Sequence, residues 1–346
     1  MRLKDFDYYL PEKLIAQRPC DLRDHSRMMV VRRKTEEVDC KVFHNFPDYL
    51  QKGDVLVIND SKVIPARLIG KKETGGMIEI LLLSRKCEAS GPLPTWEVLL
   101  RPAKRVRVGT RIVFDGDCEA RVIDRVSDKK WIVTFLISVE FDLFLEKYGR
   151  APLPPYIKRN KGSAESPEDI DRYQTIYAKR PGSVAAPTAG LHFSQNILDT
   201  LKKNGVHIVP VTLHVGYGTF LPIETDSVEK HVMEEEFFEI TKEAAEVINE
   251  AKRVIAVGTT STRVIESAAD ETGRIKHFSA YTGLFIYPGY RFRRVNALIT
   301  NFHLPRSSLF MLVCAFAGGD LMVKAYNQAI ENQFRFYSYG DCMLIV

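Results

Sequence analysis

The hydrophobic and polar positions divide the chain into two textures. Between residues 55 and 137, short β-branched and aromatic runs recur at 55–58, 63–69, 77–83, 96–100, 111–114, 120–123 and 131–137. Gly53, Gly70, Gly75, Gly76, Gly91, Pro92, Gly109 and Gly116 punctuate them. Short, evenly spaced strands separated by turn residues predict a small antiparallel barrel or sandwich. Beyond residue 150 the period changes. Residues 194–204 read as a helix followed by Gly205, 206–213 as an apolar strand, 241–252 as a helix, 254–257 as a strand and 263–270 as a helix. Residues 298–300 then read as a strand, 309–317 as a buried helix and 320–333 as a helix. Such alternation predicts an α/β layer with mostly parallel strands. Upstream, 11–16 opens with Pro11 at a helix N1 position and 28–32 reads as a strand. Leu153-Pro154-Pro155 is a stiff linker before the polar stretch 158–168. The pattern therefore predicts an α/β plus β fold. Residues 1–60 plus 150–346 form an α/β sandwich domain, and a small antiparallel β-barrel domain, 61–149, is inserted between its parts.

Composition narrows this without changing it. The 346 residues are 45% hydrophobic and 27% charged, as expected of a soluble enzyme. A net charge of +5 permits a polyanionic partner but does not demand one. Cys20, Cys40, Cys87, Cys118, Cys314 and Cys342 lie far apart with no CxxC pair, which argues against a zinc knuckle or redox dithiol and fits a reducing cytosol. Arg2, Lys4, Asp5 and Asp7 are incompatible with a secretory leader, and the longest apolar run, 309–317, is too short to span a bilayer. A cytoplasmic protein without membrane contact is expected.

Seven segments carry candidate chemistry. Ala186-Pro187-Thr188-Ala189-Gly190-Leu191-His192-Phe193 is poor helix and poor strand. Pro187 lacks an amide donor and Gly190 lacks a Cβ, so the segment predicts a turn that brings bare backbone close to something. Its plainest reading is a tight turn with a buried His192. Gly258-Thr259-Thr260-Ser261-Thr262-Arg263 follows an apolar strand and is set to hold an anion at a helix start, or simply to cap that helix. It is neither a Walker A loop nor GxGxxG. His214 ends a strand before Gly216-Tyr217-Gly218, and Asn301 and His303 follow another strand before Pro305. Open α/β sheets bind ligands at such strand ends. No metal-ligand spacing is present among these histidines, so no metal site is expected. Two basic clusters, Arg101 with Lys104, Arg105 and Arg107, and Arg291 with Arg293 and Arg294 among aromatics, suit phosphates and unpaired bases, or form solvated charged faces. Glu234-Glu235-Glu236 reads as a solvated acidic edge, or supplies a general base.

Taken together, the segments resemble the S-adenosylmethionine:tRNA ribosyltransferase-isomerase family of queuosine biosynthesis. The resemblance runs from Phe6-Asp7-Tyr8 and Asn59-Asp60 through Arg101-Pro102-Ala103-Lys104, Thr212-Leu213-His214-Val215-Gly216 and Gly258-Thr259-Thr260 to Thr300-Asn301-Phe302-His303-Leu304-Pro305 and Arg335–Asp341. Where the family usually reads His-x-Met-His-x-Glu, this chain has His231-Val232-Met233-Glu234-Glu235-Glu236, so Glu234 replaces a histidine. The resemblance implies transfer and isomerisation of the ribosyl part of S-adenosylmethionine onto 7-aminomethyl-7-deazaguanine in a tRNA anticodon. The product is epoxyqueuosine, and adenine and methionine leave. S-adenosylmethionine is then a consumed co-substrate, with no cofactor and no metal.

On this reading His192, His214, His303 and Glu236 are catalytic candidates, one histidine acting as the base at C5′ beside the sulfonium. Thr188, Gly190, Gly258, Thr259, Thr260, Arg263 and Asn301 are expected to bind substrate, with Arg263 near the methionine carboxylate. Arg101, Lys104, Arg105, Lys158, Arg159, Arg291 and Arg293 are expected to hold tRNA, and the protein is expected to be a monomer. The rivals are a tRNA methyltransferase using S-adenosylmethionine and a non-catalytic RNA-binding protein. The first would show a Gly-rich loop after its first strand, and the second leaves the histidine segments without a purpose.

Overall fold

The computed structural model describes residues 1–86, 93–115, 118–159, 167–220, 223 and 225–346. Cys87, Gly91, Pro92, Gly116 and the part 160–166 of the polar stretch lie outside the described residues. Two sheets organise the chain. The larger has nine strands in the order Phe278–Thr282, Glu236–Ile240, His207–Leu213, Val55–Asn59, Val254–Val257, Ala297–Asn301, Cys342–Ile345, Arg27–Arg32 and Glu37–Val42. His207–Leu213, Val55–Asn59, Val254–Val257 and Ala297–Asn301 run parallel, so their carboxyl ends share one edge. The outer strands are mostly antiparallel, so the sheet is mixed rather than mostly parallel.

Burial explains which strands the pattern revealed. Val55–Asn59, Val254–Val257 and Ala297–Asn301 are buried at every position, as strands covered on both faces must be. Glu37–Val42 at the edge is largely exposed, and its polar residues give no apolar signal. The run 55–58 belongs to this sheet and not to the barrel.

The second sheet runs Gly149–Arg150, Arg67–Lys72, Met77–Arg85, Thr95–Arg101, Lys130–Leu136, Glu119–Arg125 and Arg111–Val113. Arg67–Lys72 also pairs with Arg111–Val113, which closes the barrel. Alternate residues such as Ile78, Ile80, Leu82, Val98, Val122, Val133 and Phe135 fill its interior. The helix Phe141–Tyr148, absent from the sequence pattern, packs Phe141, Phe144 and Leu145 into the same core. The run 63–69 splits into Ser61–Val63 and Arg67–Lys72 around Pro65, which has no amide hydrogen for a ladder.

Helix ends follow local chemistry. Ser194 caps Gln195–Lys203 by accepting from the Ile197 amide, and Thr241 caps Lys242–Glu250 in the same way. The segment 11–16 forms only a 3-10 turn, Glu12–Leu14. The helix expected at 263–270 starts five residues earlier, as Gly258–Ala268, so the hydroxyl-rich loop is its own first turns. Gly258 opens it at φ +86°, a conformation that L side chains rarely adopt. Nearly every residue of this helix is buried, which hides its amphipathic period. Among the described residues no single helix is long and apolar enough to cross a membrane.

Candidate active site

A cavity of about 500 Å³ opens at the carboxyl ends of the parallel strands. Gly258, Thr259 and Thr260 follow one strand, and Thr300, Asn301, Phe302 and His303 end and follow another. The turn Ala186–Ala189 closes a third side. Tyr156, Tyr337 and Ser338, none of them among the expected site residues although the last two lie in the family-like run Arg335–Asp341, complete the wall. Its lining is mainly apolar with a few convergent polar groups and, among the described residues, no carboxylate, the composition of a small-molecule site.

The three histidines part company here. His303 lines the cavity. Its Nε2 pairs with the Thr300 hydroxyl at 2.8 Å, its backbone amide donates to the Tyr326 hydroxyl at 3.0 Å, and the Tyr8 hydroxyl donates to its carbonyl. No described residue pairs with Nδ1, which is left for a ligand. His192 sits one residue deeper. Its Nδ1 pairs with Ser26 Oγ at 2.7 Å and its Nε2 accepts from Asn301 Nδ2 at 3.1 Å, so both ring nitrogens are used by the protein. His214 pairs through Nδ1 with Ser61 Oγ at 2.7 Å and stacks on Phe237. Three strand spacings separate its strand from that of Asn301, about 14 Å at the usual spacing, and His214 is not among the residues that line the cavity.

Burial lowers the pKa of His303 to about 3 and that of His192 to about 4. Both rings are neutral in the folded protein and charge only in the unfolded chain as pH falls below 6.5. The unfolded state therefore binds the extra protons, and stability declines on acidification. Between about pH 7 and 5 the expected loss is about 1–2 kcal/mol for each ring. Thermal melts across that window test this, and a His192→Phe variant as acid-sensitive as the wild type would remove His192 from the account.

Glu236 and Arg263 differ from their expected roles. Each is 5% exposed in its side chain, and they form a buried ion pair between Arg263 Nη1 and Glu236 Oε2. Arg263 also donates to the carbonyls of Leu284 (3.0 Å) and Thr282 (3.2 Å), so its guanidinium is committed away from any carboxylate ligand. Glu236 Oε1 accepts from the Gly216 amide at 2.8 Å and the Thr219 hydroxyl at 3.2 Å. The pair thus anchors the loop that carries Thr219, itself on the cavity wall. Gly190 faces the protein rather than the cavity, because a Cβ there would meet Tyr177 and Thr175. Thr188 and its neighbour Ala189 do line the cavity.

Glu234, where the family motif has histidine, pairs with Lys130 of the barrel at 2.6 Å, and Lys130 also meets Glu97 at 3.2 Å. It ties the barrel to the edge of a second cavity, of about 440 Å³, that holds His231 and shares Thr219 with the first.

The basic residues divide likewise. Lys104 and Arg105 stand exposed on the 3-10 turn Ala103–Arg105. Arg101 and Arg159 line a cleft between barrel and linker with Arg67. Arg159 is held by the buried Asp169 at 2.7 and 2.9 Å, and Lys158 by Glu12 at 2.5 Å. Arg293 donates to the Ala269 carbonyl at 2.8 Å, and Glu266 accepts the backbone amides of Arg293, Arg294 and Val295, so that cluster is largely a loop anchor. Arg291 is exposed.

Comparison with known proteins identifies the family. The model of the family described as queuosine biosynthesis protein matches residues 3–345. The chain is 60% identical over 361 residues to the S-adenosylmethionine:tRNA ribosyltransferase-isomerase of Syntrophus aciditrophicus, covering 100% of both chains. It is 50% identical over 351 residues to the enzyme of the same name from Carboxydothermus hydrogenoformans, again over 100% of both. Its fold is similar to the crystal structure of S-adenosylmethionine tRNA ribosyltransferase from Thermotoga maritima, with a TM-score of 0.56 and 37% identity over 99% of this chain and 100% of that one.

Proposed function

The chain belongs to the queuosine biosynthesis protein family, and on that premise we propose how its cavity serves the family's reaction. The enzyme transfers and isomerises the ribosyl moiety of S-adenosylmethionine onto 7-aminomethyl-7-deazaguanine in a tRNA anticodon, giving epoxyqueuosine-tRNA, adenine and methionine. In our reading the adenosyl part of S-adenosylmethionine occupies the 500 Å³ cavity, with Thr188, Gly258, Thr259, Thr260 and Asn301 around it. The observation that carries this is the convergence of Thr259, Thr260, Asn301 and His303 at adjacent parallel strand ends, where open α/β sheets take nucleoside ligands.

The sulfonium acidifies the neighbouring C5′ hydrogens, and His303 is the one of the three candidate histidines that lines the cavity. It is our candidate for proton transfer. S-adenosylmethionine is consumed, and the proposed chemistry calls for no cofactor. We place residues 1–60 plus 150–346 in the catalytic domain and 61–149 in the barrel, and expect a cytoplasmic monomer without membrane contact.

Labelled S-adenosylmethionine and precursor-bearing tRNA test the reading. Ribosyl label in tRNA and free adenine support it. Release of S-adenosylhomocysteine would mean a methyltransferase, and tRNA binding without turnover would mean a binding protein. The exposed Lys104 and Arg105 are assigned to tRNA phosphates. Reversing both charges should weaken binding of all tRNAs and reduce the slope of log K against log salt by about 1–2. An unchanged slope would move the footprint elsewhere.

A further inference from the structure

Asn301 ends its strand 3% exposed on the cavity wall. Its Nδ2 lies 3.1 Å from His192 Nε2, 3.2 Å from the Tyr337 carbonyl and 3.5 Å from the Asp341 carbonyl. Carbonyls only accept, so the amide nitrogen must face them and the amide cannot flip. His192 Nε2 is then the lone-pair nitrogen, and its protonated Nδ1 donates to Ser26 Oγ. The ring is locked in turn by packing 5.4 Å from Phe43. These contacts leave Asn301 Oδ1 buried with no partner among the described residues. Thr260 Oγ1, on the same cavity, is buried and unpartnered too. A buried acceptor without a donor is unfavourable, and the deficit is met when a ligand supplies the hydrogen.

Several features select the donor. A ribose hydroxyl both donates and accepts, so it would need no locked amide. An ammonium group needs negative charge, and among the described residues no carboxylate lines this cavity. A neutral planar amino group on an aromatic ring fits a single fixed oxygen among the apolar walls of Phe302, Val215 and Ile223. Resting on the reading that S-adenosylmethionine occupies this cavity, we infer that Asn301 Oδ1 accepts a hydrogen from the 6-amino group of adenine. His192 is the positioning residue that fixes the amide. The pair reads a 6-amino purine against a 6-oxo purine, whose oxygen would face Oδ1 with two acceptors and no hydrogen between them.

The test is calorimetric binding of S-adenosylmethionine and its 6-oxo and 6-unsubstituted purine analogues, with steady-state turnover alongside. Wild type should prefer S-adenosylmethionine over the 6-oxo analogue by at least about 100-fold, since a site built to bond an N–H rejects partners that lack it. Asn301→Leu should bind all three within about threefold. His192→Phe should lose about tenfold of the preference and raise KM for S-adenosylmethionine more than it lowers kcat, which loss of stability alone would not do. Wild type binding the 6-oxo analogue as tightly as S-adenosylmethionine overturns the inference, and that comparison needs no variant to fold. So does Asn301→Leu retaining the full preference. A wild type that binds no S-adenosylmethionine removes the underlying reading, and this inference with it. Tight binding without discrimination removes this inference alone.

Discussion

Arg263→Ala lowers the stability of the protein by about 3–5 kcal/mol, because it leaves Glu236 as a buried charge without a counter-ion. The loss is large for a single substitution. Both side chains are 5% exposed, so water cannot replace the missing partner. Arg263 also satisfies the carbonyls of Leu284 and Thr282, which become unpaired together with the carboxylate. Glu236→Ala should cost a similar amount from the other side. Combining Arg263→Leu with Glu236→Leu should be milder than either alanine change, since two apolar groups strand no charge. Urea denaturation of the three variants decides the matter. A loss below about 1 kcal/mol for Arg263→Ala would show that the pair behaves as an exposed one. Because Glu236 also holds Gly216 and Thr219, the same variants should weaken substrate binding at the cavity wall.

His303→Ala should reduce kcat by about 10²–10⁴-fold, the usual contribution of a positioned proton-transfer group. The ring is held by Thr300 and its backbone by Tyr8 and Tyr326, which fixes a residue that lines the cavity in one orientation. Thr300→Val should have a smaller effect, since it frees the ring without removing it. His214→Ala is expected to act mainly on stability, because that ring packs against Phe237 and Ser61 away from the cavity. Single-turnover rates with precursor-bearing tRNA separate these cases. If His214→Ala were the variant that abolished chemistry while His303→Ala kept near-normal kcat, the assignment of His303 would be wrong.

Much of the fold was legible because its central strands are buried on both faces. Val254–Val257 is apolar at every position, and Ala297–Asn301 is buried throughout. The barrel was legible because inward and outward residues alternate, as in Lys130–Leu136. Edge strands were not. Glu37–Val42 and Phe278–Thr282 are largely exposed and carry polar or mixed residues, so their pairing comes from neighbours and not from their own pattern. The site's segments around Thr188, Gly258 and Asn301 stood out because glycines, hydroxyls and an amide are unusual beside apolar strands. Tyr156, Tyr337 and Ser338 stood out by no chemistry of their own, since aromatic and serine residues are common in any core or loop, and only the family resemblance of their segments pointed to them.

Sequence alone determined the local elements, the strand ends that carry the candidate chemistry, and the family. Those depend on residue types close together in the chain. Tertiary structure decided which of the marked residues line the cavity. It paired Arg263 with Glu236, 27 positions away, and set His192 behind Asn301, 109 positions away. It also put the strand before His214 three strand spacings from that of Asn301. The fate of a polar side chain depends on which distant partner burial brings to it, and that partner is not encoded in the spacing around the residue itself.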